Sequence, residues 1–155
     1  MTQVVAASGP VSGPVSGPVS AVQALQAALA AEDAAVFGYG VAGAHLSGNR
    51  RSAAEQDWTA HIEARDTLAA MISALGAAPV AGQAFYRLPF EVNDAASAAE
   101  LAVHLEERVT RAYLAIVAVK DQRLRTFGAL AMQASAERAA FWRGTTEAFP
   151  GLDVS

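Results

Sequence analysis

Apolar residues recur at alternating spacings of three and four along most of the chain, which is the period of an amphipathic helix. The predicted helices cover residues 21 to 46, 53 to 76, 95 to 120 and 122 to 143. Ser20 is placed to cap the first helix, while Ser52 and Glu55 form a capping box for the second. Alanine is abundant and strand-type runs are scarce, so the sequence predicts an all-α fold.

The lengths of the connections predict how these helices are arranged. Short turns join the first two helices and the last two, so each pair forms an antiparallel hairpin. Residues 77 to 93 lie between the hairpins and lack helical periodicity. In extended form they reach up to about 56 Å, whereas the second helix is about 36 Å long. This order predicts an antiparallel, ferritin-like four-helix bundle with a long crossover between helices two and three.

The two ends of the chain fall outside this pattern. Residues 8 to 19 contain the tetrapeptide Ser-Gly-Pro-Val three times, a composition that neither buries a core nor holds a helix. We therefore expect a disordered tail over residues 1 to 19, the bundle over 20 to 145, and a C-terminal tail over 146 to 155.

Composition limits the classes of function. The chain has 155 residues, of which 53% are hydrophobic, and this fits one domain with a substantial core. Its formal charge is −4 and its basic residues are scattered, so we expect no nucleic-acid partner. It has no cysteine, which excludes disulfides and thiolate metal sites. Without an apparent signal peptide or an apolar run of membrane length, it is expected to be cytoplasmic and to make no membrane contact.

The second half of the first helix is rich in glycine. Gly38, Gly40 and Gly43 fall within six residues, and each is unfavourable in a helix by up to ~1 kcal/mol relative to alanine. We expect close approach of a neighbouring helix or a bulky side chain to offset that cost.

Ionisable side chains interrupt the apolar stripes near the middle of the helices. Glu32 lies within the stripe of the first helix, where an unpaired carboxylate costs several kcal/mol. The second helix presents His61 and Arg65 one turn apart on its apolar face. We therefore predict that Glu32 pairs across the core with Arg65, and also with His61.

The other two helices supply further charges at a comparable level. Glu106 and Glu107 are adjacent on the third helix, and the pattern favours Glu106 facing inward without excluding Glu107. Glu137 and Arg138 lie on two adjoining apolar stripes of the fourth helix. The candidate polar-core or ligand-binding residues are Glu32, Tyr39, His61, Arg65, Glu106, Tyr113, Glu137 and Arg138.

Several short motifs link the chain to a known family. They occupy residues 31–40, 61–66, 88–90, 105–107, 113 and 138–144. Through them, residues 21 to 151 resemble an actinobacterial ferritin-like domain family of unknown function. The resemblance implies the bundle fold and no established activity.

The candidate residues make only half of a di-iron site. Such bundles take single glutamates from two helices and a Glu-x-x-His pair from each of the other two. Glu32 and Glu106 could supply the single glutamates, but Trp58 precedes His61 by three residues and Ala140 follows Glu137 by three. Arginine at the same level can also satisfy carboxylates in place of a cation. No cofactor is predicted; the alternative is iron or manganese, held by Glu32, His61, Glu106 and Glu137.

These observations leave three function classes: an interaction protein, a small-ligand-binding protein and a metal-dependent enzyme. The sequence favours a non-catalytic protein of one of the first two classes, with a charged polar core. A small-ligand site would need an apolar cavity near Glu32, Tyr39 and Tyr113. The alternative is a metal-dependent oxidase or oxygenase with an incomplete carboxylate-histidine site. Alanine and glycine on several helix faces also predict a homodimer, with a small organic ligand or another protein as further partner.

Overall fold

The computed structural model describes residues 20–144, which fold into four α-helices with no strand among them. The helices are α1 (Ala21–Ala44), α2 (Gly48–Ala74), α3 (Ala95–Val117) and α4 (Gln122–Arg143). The prediction of an all-α four-helix bundle is confirmed. The predicted tails, residues 1–19 and 146–155, lie outside the described residues. No helix in the described part has the length and apolarity needed to cross a membrane.

Side-chain caps fix three of the four helix starts. Ser20 accepts a hydrogen bond from the backbone of Gln23 at the start of α1, and Asp94 does the same for Ser97 at the start of α3. Asp121 accepts from two backbone N–H groups of α4. These bonds satisfy N–H groups that have no partner within the helix, which explains why the sequence located the three starts well.

The predicted start of α2 is wrong by several residues. The helix begins at Gly48 rather than residue 53, so Ser52 lies within its first turns and caps nothing. Glu55 instead accepts a hydrogen bond from Arg51 Nε at 3.1 Å, one turn away on the same helix. Buried Leu46 anchors the short connection from α1 to the core, which lets the chain turn at once into the next helix.

The core consists of two apolar clusters separated by a polar layer. α1 packs against both α2 and α3, and α3 packs against α4. One cluster is centred on Leu25, Leu68 and Ile116, and the other on Leu101 and Trp142. Fully burying a leucine or isoleucine side chain contributes about 1.5 to 3 kcal/mol, so the two clusters account for much of the packing. Between them lie the buried ionisable residues described below.

The long connection between α2 and α3 follows the outside of α1. Gln26 holds its beginning, because its side chain donates to the Ala78 carbonyl at 2.6 Å and accepts from the Val80 backbone at 2.7 Å. Phe37 holds its middle through ring contacts with Phe85 and Tyr86. The predicted long connection is therefore fixed to the first helix along several turns.

One of the two apolar stripes on α4 turns inward, and the other remains largely at the surface. The inward side includes Gly128, Ser135 and Trp142. A Cβ at Gly128 would come within 3.0 Å of Ile116, so glycine permits α4 to approach α3 closely. Leu130 and Phe141 on the other stripe are 63% and 48% exposed.

The glycines of α1 do not share one role, and this gives a direct test by substitution. A Cβ at Gly38 would lie 2.5 Å from a methyl group of buried Leu105, whereas a Cβ at Gly40 would meet nothing within 4 Å. We expect Gly38→Ala to destabilise the protein by about 1 kcal/mol, since overpacking outweighs the gain in helix propensity.

Gly40→Ala is the matched control for this effect. It adds the same methyl group to the same helix in open space, so it should stabilise the protein by about 0.5 to 1 kcal/mol. Urea denaturation of both variants measures the difference. Equal shifts of the same sign would show that the contact with Leu105 does not destabilise Gly38→Ala.

Candidate functional site

A histidine bridges two carboxylates at the centre of the bundle. His61 Nδ1 lies 2.5 Å from Glu32 Oε2, and His61 Nε2 lies 3.0 Å from Glu106 Oε1. The three residues come from α2, α1 and α3, and each is at most 1% exposed. Helical periodicity directs all three side chains into the same layer, because each interrupts the apolar stripe of its own helix. The predicted Glu32–His61 pair is therefore present, and Glu106 rather than Glu107 faces inward.

Two tyrosines extend the bridge at either end. The Tyr113 hydroxyl donates to Glu32 Oε1 at 2.8 Å, and the Tyr39 hydroxyl donates to Glu106 Oε1 at 2.7 Å. Both phenol rings are almost fully buried. Burial raises the pKa of each hydroxyl, and the adjacent glutamate raises it further, so both remain neutral hydrogen-bond donors.

The positive partner of Glu106 comes from α4. Arg138 Nε donates to Glu106 Oε1 at 2.8 Å, and Arg138 Nη2 donates to the hydroxyl of buried Ser135 at 3.1 Å. Glu106 Oε1 therefore interacts with His61, Tyr39 and Arg138 together. Its second oxygen, Oε2, is buried and has no hydrogen-bond partner within residues 20–144.

Three residues of the network were not predicted from the sequence. Asp57 accepts a hydrogen bond from the Trp142 indole at 2.8 Å and lies 3.3 Å from the Tyr39 hydroxyl. Ser135 orients Arg138. Asp57 precedes His61 by four residues, and that spacing places both on one helix face and could have identified it. A serine or tryptophan inside an apolar stripe carries no comparable signal.

Opposite charges hold His61 and Glu106 in their ionised forms. Burial alone would lower the pKa of His61, but the hydrogen bonds that it donates to Glu106 and Glu32, together with their negative charges, outweigh burial and raise the pKa to about 9. Burial likewise favours the neutral form of Glu106, yet His61 and Arg138 together hold its pKa below the ordinary value. At neutral pH the His61 imidazolium and the Arg138 guanidinium therefore face the Glu106 carboxylate.

Two candidate residues lie outside this network. Arg65 does not pair with Glu32, contrary to the prediction; it donates to Asp66 at 2.8 and 2.9 Å, and its side chain is 33% exposed. Glu32 is already satisfied by His61 and Tyr113, which leaves Arg65 nearer the surface, one turn further along α2. Glu137 is exposed and accepts a hydrogen bond from Gln133 of its own helix.

The hydrogen bonds of the network occupy the groups that could bind a metal ion. Both ring nitrogens of His61 are engaged with carboxylates, so neither has a free lone pair in this arrangement. A metal would require neutral imidazole with a free lone pair. Glu137, the fourth ligand of the metal alternative, is exposed to solvent. Within residues 20–144, no group of three or more histidine, aspartate or glutamate side chains is arranged to hold a metal.

A small cleft reaches the network from one side. It lies between α1 and α2, has a volume of about 250 Å³, and ends on Tyr39. Trp58 forms one wall, and Gly40 and Gly43 form the opposite one. Because the Tyr39 hydroxyl bonds to Glu106, the cleft and the buried charges share one residue.

Comparisons with known proteins identify a family without an assigned activity. Residues 24–154 match the model of a family described as a domain of unknown function, DUF4439. A crystal structure of a conserved hypothetical protein from Mycobacterium tuberculosis is similar, with 33% sequence identity and a TM-score of 0.77. The alignment covers 80% of this chain and 96% of that chain. Among curated proteins, none matches this chain.

Proposed function

The chain belongs to the DUF4439 family of domains of unknown function, and from its central network we propose that it is a non-catalytic binding protein. Its two hairpins and long crossover support a ferritin-like ancestry for the bundle. In this proposal, the layer that holds metal ligands in di-iron bundles carries a permanent set of ion pairs instead. The layer stabilises the fold, and binding takes place at the surface.

One observation carries the proposal: His61 bridges Glu32 and Glu106 through both of its ring nitrogens. A protonated histidine in that position cannot accept a proton, act as a nucleophile or bind a cation. Arg138 adds a second positive charge to Glu106. The arrangement supports structural neutralisation of buried carboxylates more directly than any reaction.

The metal-dependent oxidase is the less favoured alternative. It would require His61 to lose a proton, Arg138 to withdraw from Glu106, and a further carboxylate from α4 to turn inward. Each change separates paired charges in a layer that is nearly closed to water, and such separation is costly. We therefore propose that no metal or other cofactor is needed for folding or binding.

Metal titration tests the proposal. Excess iron(II), manganese(II) or zinc added to purified protein should leave the melting temperature unchanged, because a ligand stabilises a protein only when it binds the folded state preferentially. Differential scanning calorimetry and metal analysis of the freshly purified protein measure this. Glu100→Ala is the matched control, since Glu100 is an exposed carboxylate on α3 that belongs to no candidate ligand set.

A contrary result has a defined form. If metal raised the melting temperature of wild type and of Glu100→Ala, but not of Glu32→Ala or His61→Ala, the buried layer would be a metal site. The non-catalytic proposal would then be wrong.

Partner binding in this proposal uses exposed apolar side chains. Leu130 and Phe141 lie on the outer stripe of α4, and Trp58 lies on α2 beside the cleft. A second copy of the chain or another protein could cover the α4 stripe, which supports the homodimer that the sequence predicts. The cleft at Trp58 suits a smaller partner.

A further inference from the structure

The cleft between α1 and α2 owes its space to two glycines that packing does not require. A Cβ built on Gly40 or on Gly43 meets nothing within 4 Å, whereas at Gly38 it collides with Leu105. Each glycine is nevertheless unfavourable in a helix by about 1 kcal/mol relative to alanine. No helix approaches closely enough to explain the two residues, so the prediction of tight packing holds at Gly38 and is wrong at Gly40 and Gly43.

Two aromatic side chains with fixed orientations line the cleft beside the glycines. The other lining residues are Ala44, Arg51, Ala54 and Glu55. The Trp58 indole N–H donates to the Val36 carbonyl at 3.1 Å, which orients the ring although it is 41% exposed. Tyr39 closes the inner end and is held by Glu106. A cleft with rigid walls loses little conformational entropy when a ligand binds, which favours affinity.

The rim of the cleft offers one positively charged group. Arg51 lines the cleft, and its Nε donates to Glu55 at 3.1 Å. Its terminal Nη groups make no hydrogen bond to the described residues, so they are available to a planar anion. Guanidinium groups bind carboxylates through two parallel N–H donors, and they do so with defined orientation.

We propose that this cleft binds a small planar aromatic carboxylate, with its ring between Trp58 and the glycine wall and its carboxylate at Arg51. The volume of about 250 Å³ is just below the ~300 Å³ at which drug-sized pockets begin, so a molecule of one or two rings fits. This inference rests on the proposed function, since it supplies the ligand class of a binding protein. The buried charges take no part in the contact except by holding Tyr39.

Naphthoate is the probe for a direct test by equilibrium dialysis. Wild type should bind it saturably at one site per chain. Gly43→Leu should weaken binding at least tenfold, because the added side chain occupies the cleft. Arg51→Gln should weaken naphthoate several-fold while leaving neutral naphthamide unchanged. Ala129→Leu is the matched control, since it adds the same side chain to an exposed position on α4, and it should bind as wild type does.

Each other outcome overturns part of the proposal. Equal binding by wild type and Gly43→Leu, with both variants folded by circular dichroism, would place the probe outside the cleft. Equal affinity for naphthoate and naphthamide would show that the site does not recognise the carboxylate of the ligand. No saturable binding to wild type would overturn the ligand site while leaving the non-catalytic proposal in place, because the metal titration tests that proposal independently.

Discussion

Replacing His61 with alanine should lower the free energy of unfolding by roughly 3 to 5 kcal/mol, which is the usual cost of removing one partner from a buried ion pair. The reason lies in what remains. Glu32 and Glu106 would lose the positive charge between them, and His61 is fully buried, so water does not readily replace it. Urea denaturation at neutral pH, followed by circular dichroism, measures the loss.

Two further variants separate charge pairing from loss of volume. Arg65→Ala removes a partly exposed arginine whose one ion pair within residues 20–144 is with Asp66, so it should cost less than about 1 kcal/mol. The triple variant Glu32→Leu, His61→Leu, Tyr113→Phe removes one carboxylate together with both of its partners. We expect it to be more stable than His61→Ala, since no charge is left unpaired and Glu106 keeps Tyr39 and Arg138. A loss for His61→Ala no larger than that for Arg65→Ala would show that the bridge contributes little.

The helices, the loop lengths and the three buried ionisable residues could be predicted from the sequence because they depend on periodicity. A glutamate or histidine inside an apolar stripe must face the core once its helix packs there. Glu32, His61 and Glu106 each met that condition, and the structure brings them into contact.

The choice of the cation could not be predicted in the same way. Arg65 and Arg138 each lie beside an apolar stripe, and periodicity does not say which of them reaches the centre. The rotation of α4 about its axis determines which arginine reaches the centre. Gly128 allows one side of that helix to approach Ile116 closely, and in this orientation Arg138 lies inward and Glu137 lies in solvent. Such a rotation depends on the packing of two neighbouring helices and not on the pattern of either one.

The cleft shows a different limit of the sequence pattern. Glycine within a helix can indicate close packing or open space, and the sequence alone does not distinguish the two. Gly38 faces Leu105 across the helix interface, while Gly40 and Gly43 face the cleft. Four residues of α2 line that cleft: Arg51, Ala54, Glu55 and Trp58. Only the position of the neighbouring helix distinguishes the two cases.

Raising the pH from 6.5 to 9 should reduce the stability of the protein by about 3 kcal/mol through His61. Below the ordinary pKa of 6.5, His61 is protonated in both folded and unfolded chains, so the folded state keeps the whole benefit of its ion pairs. Between that value and its folded pKa of about 9, the unfolded chain releases the proton while the folded chain retains it. Stability therefore falls as pH rises through this window.

At low pH the protein loses stability through Glu106 instead of His61, so the two contributions can be measured separately. Burial opposes the ionised form of Glu106, but the pairing of Glu106 with His61 and Arg138 outweighs burial and lowers its pKa. Glu106 therefore stabilises the folded protein above its unfolded pKa, and this stabilisation is lost as the pH falls below that value. Maximum stability should lie between the two transitions. His61→Gln should flatten the alkaline decline, whereas His104→Gln should retain it, because burial lowers the pKa of His104 and its contribution has the opposite sign. Urea denaturation at a series of pH values measures both slopes; an alkaline decline of equal size in wild type and His61→Gln would assign it to other groups.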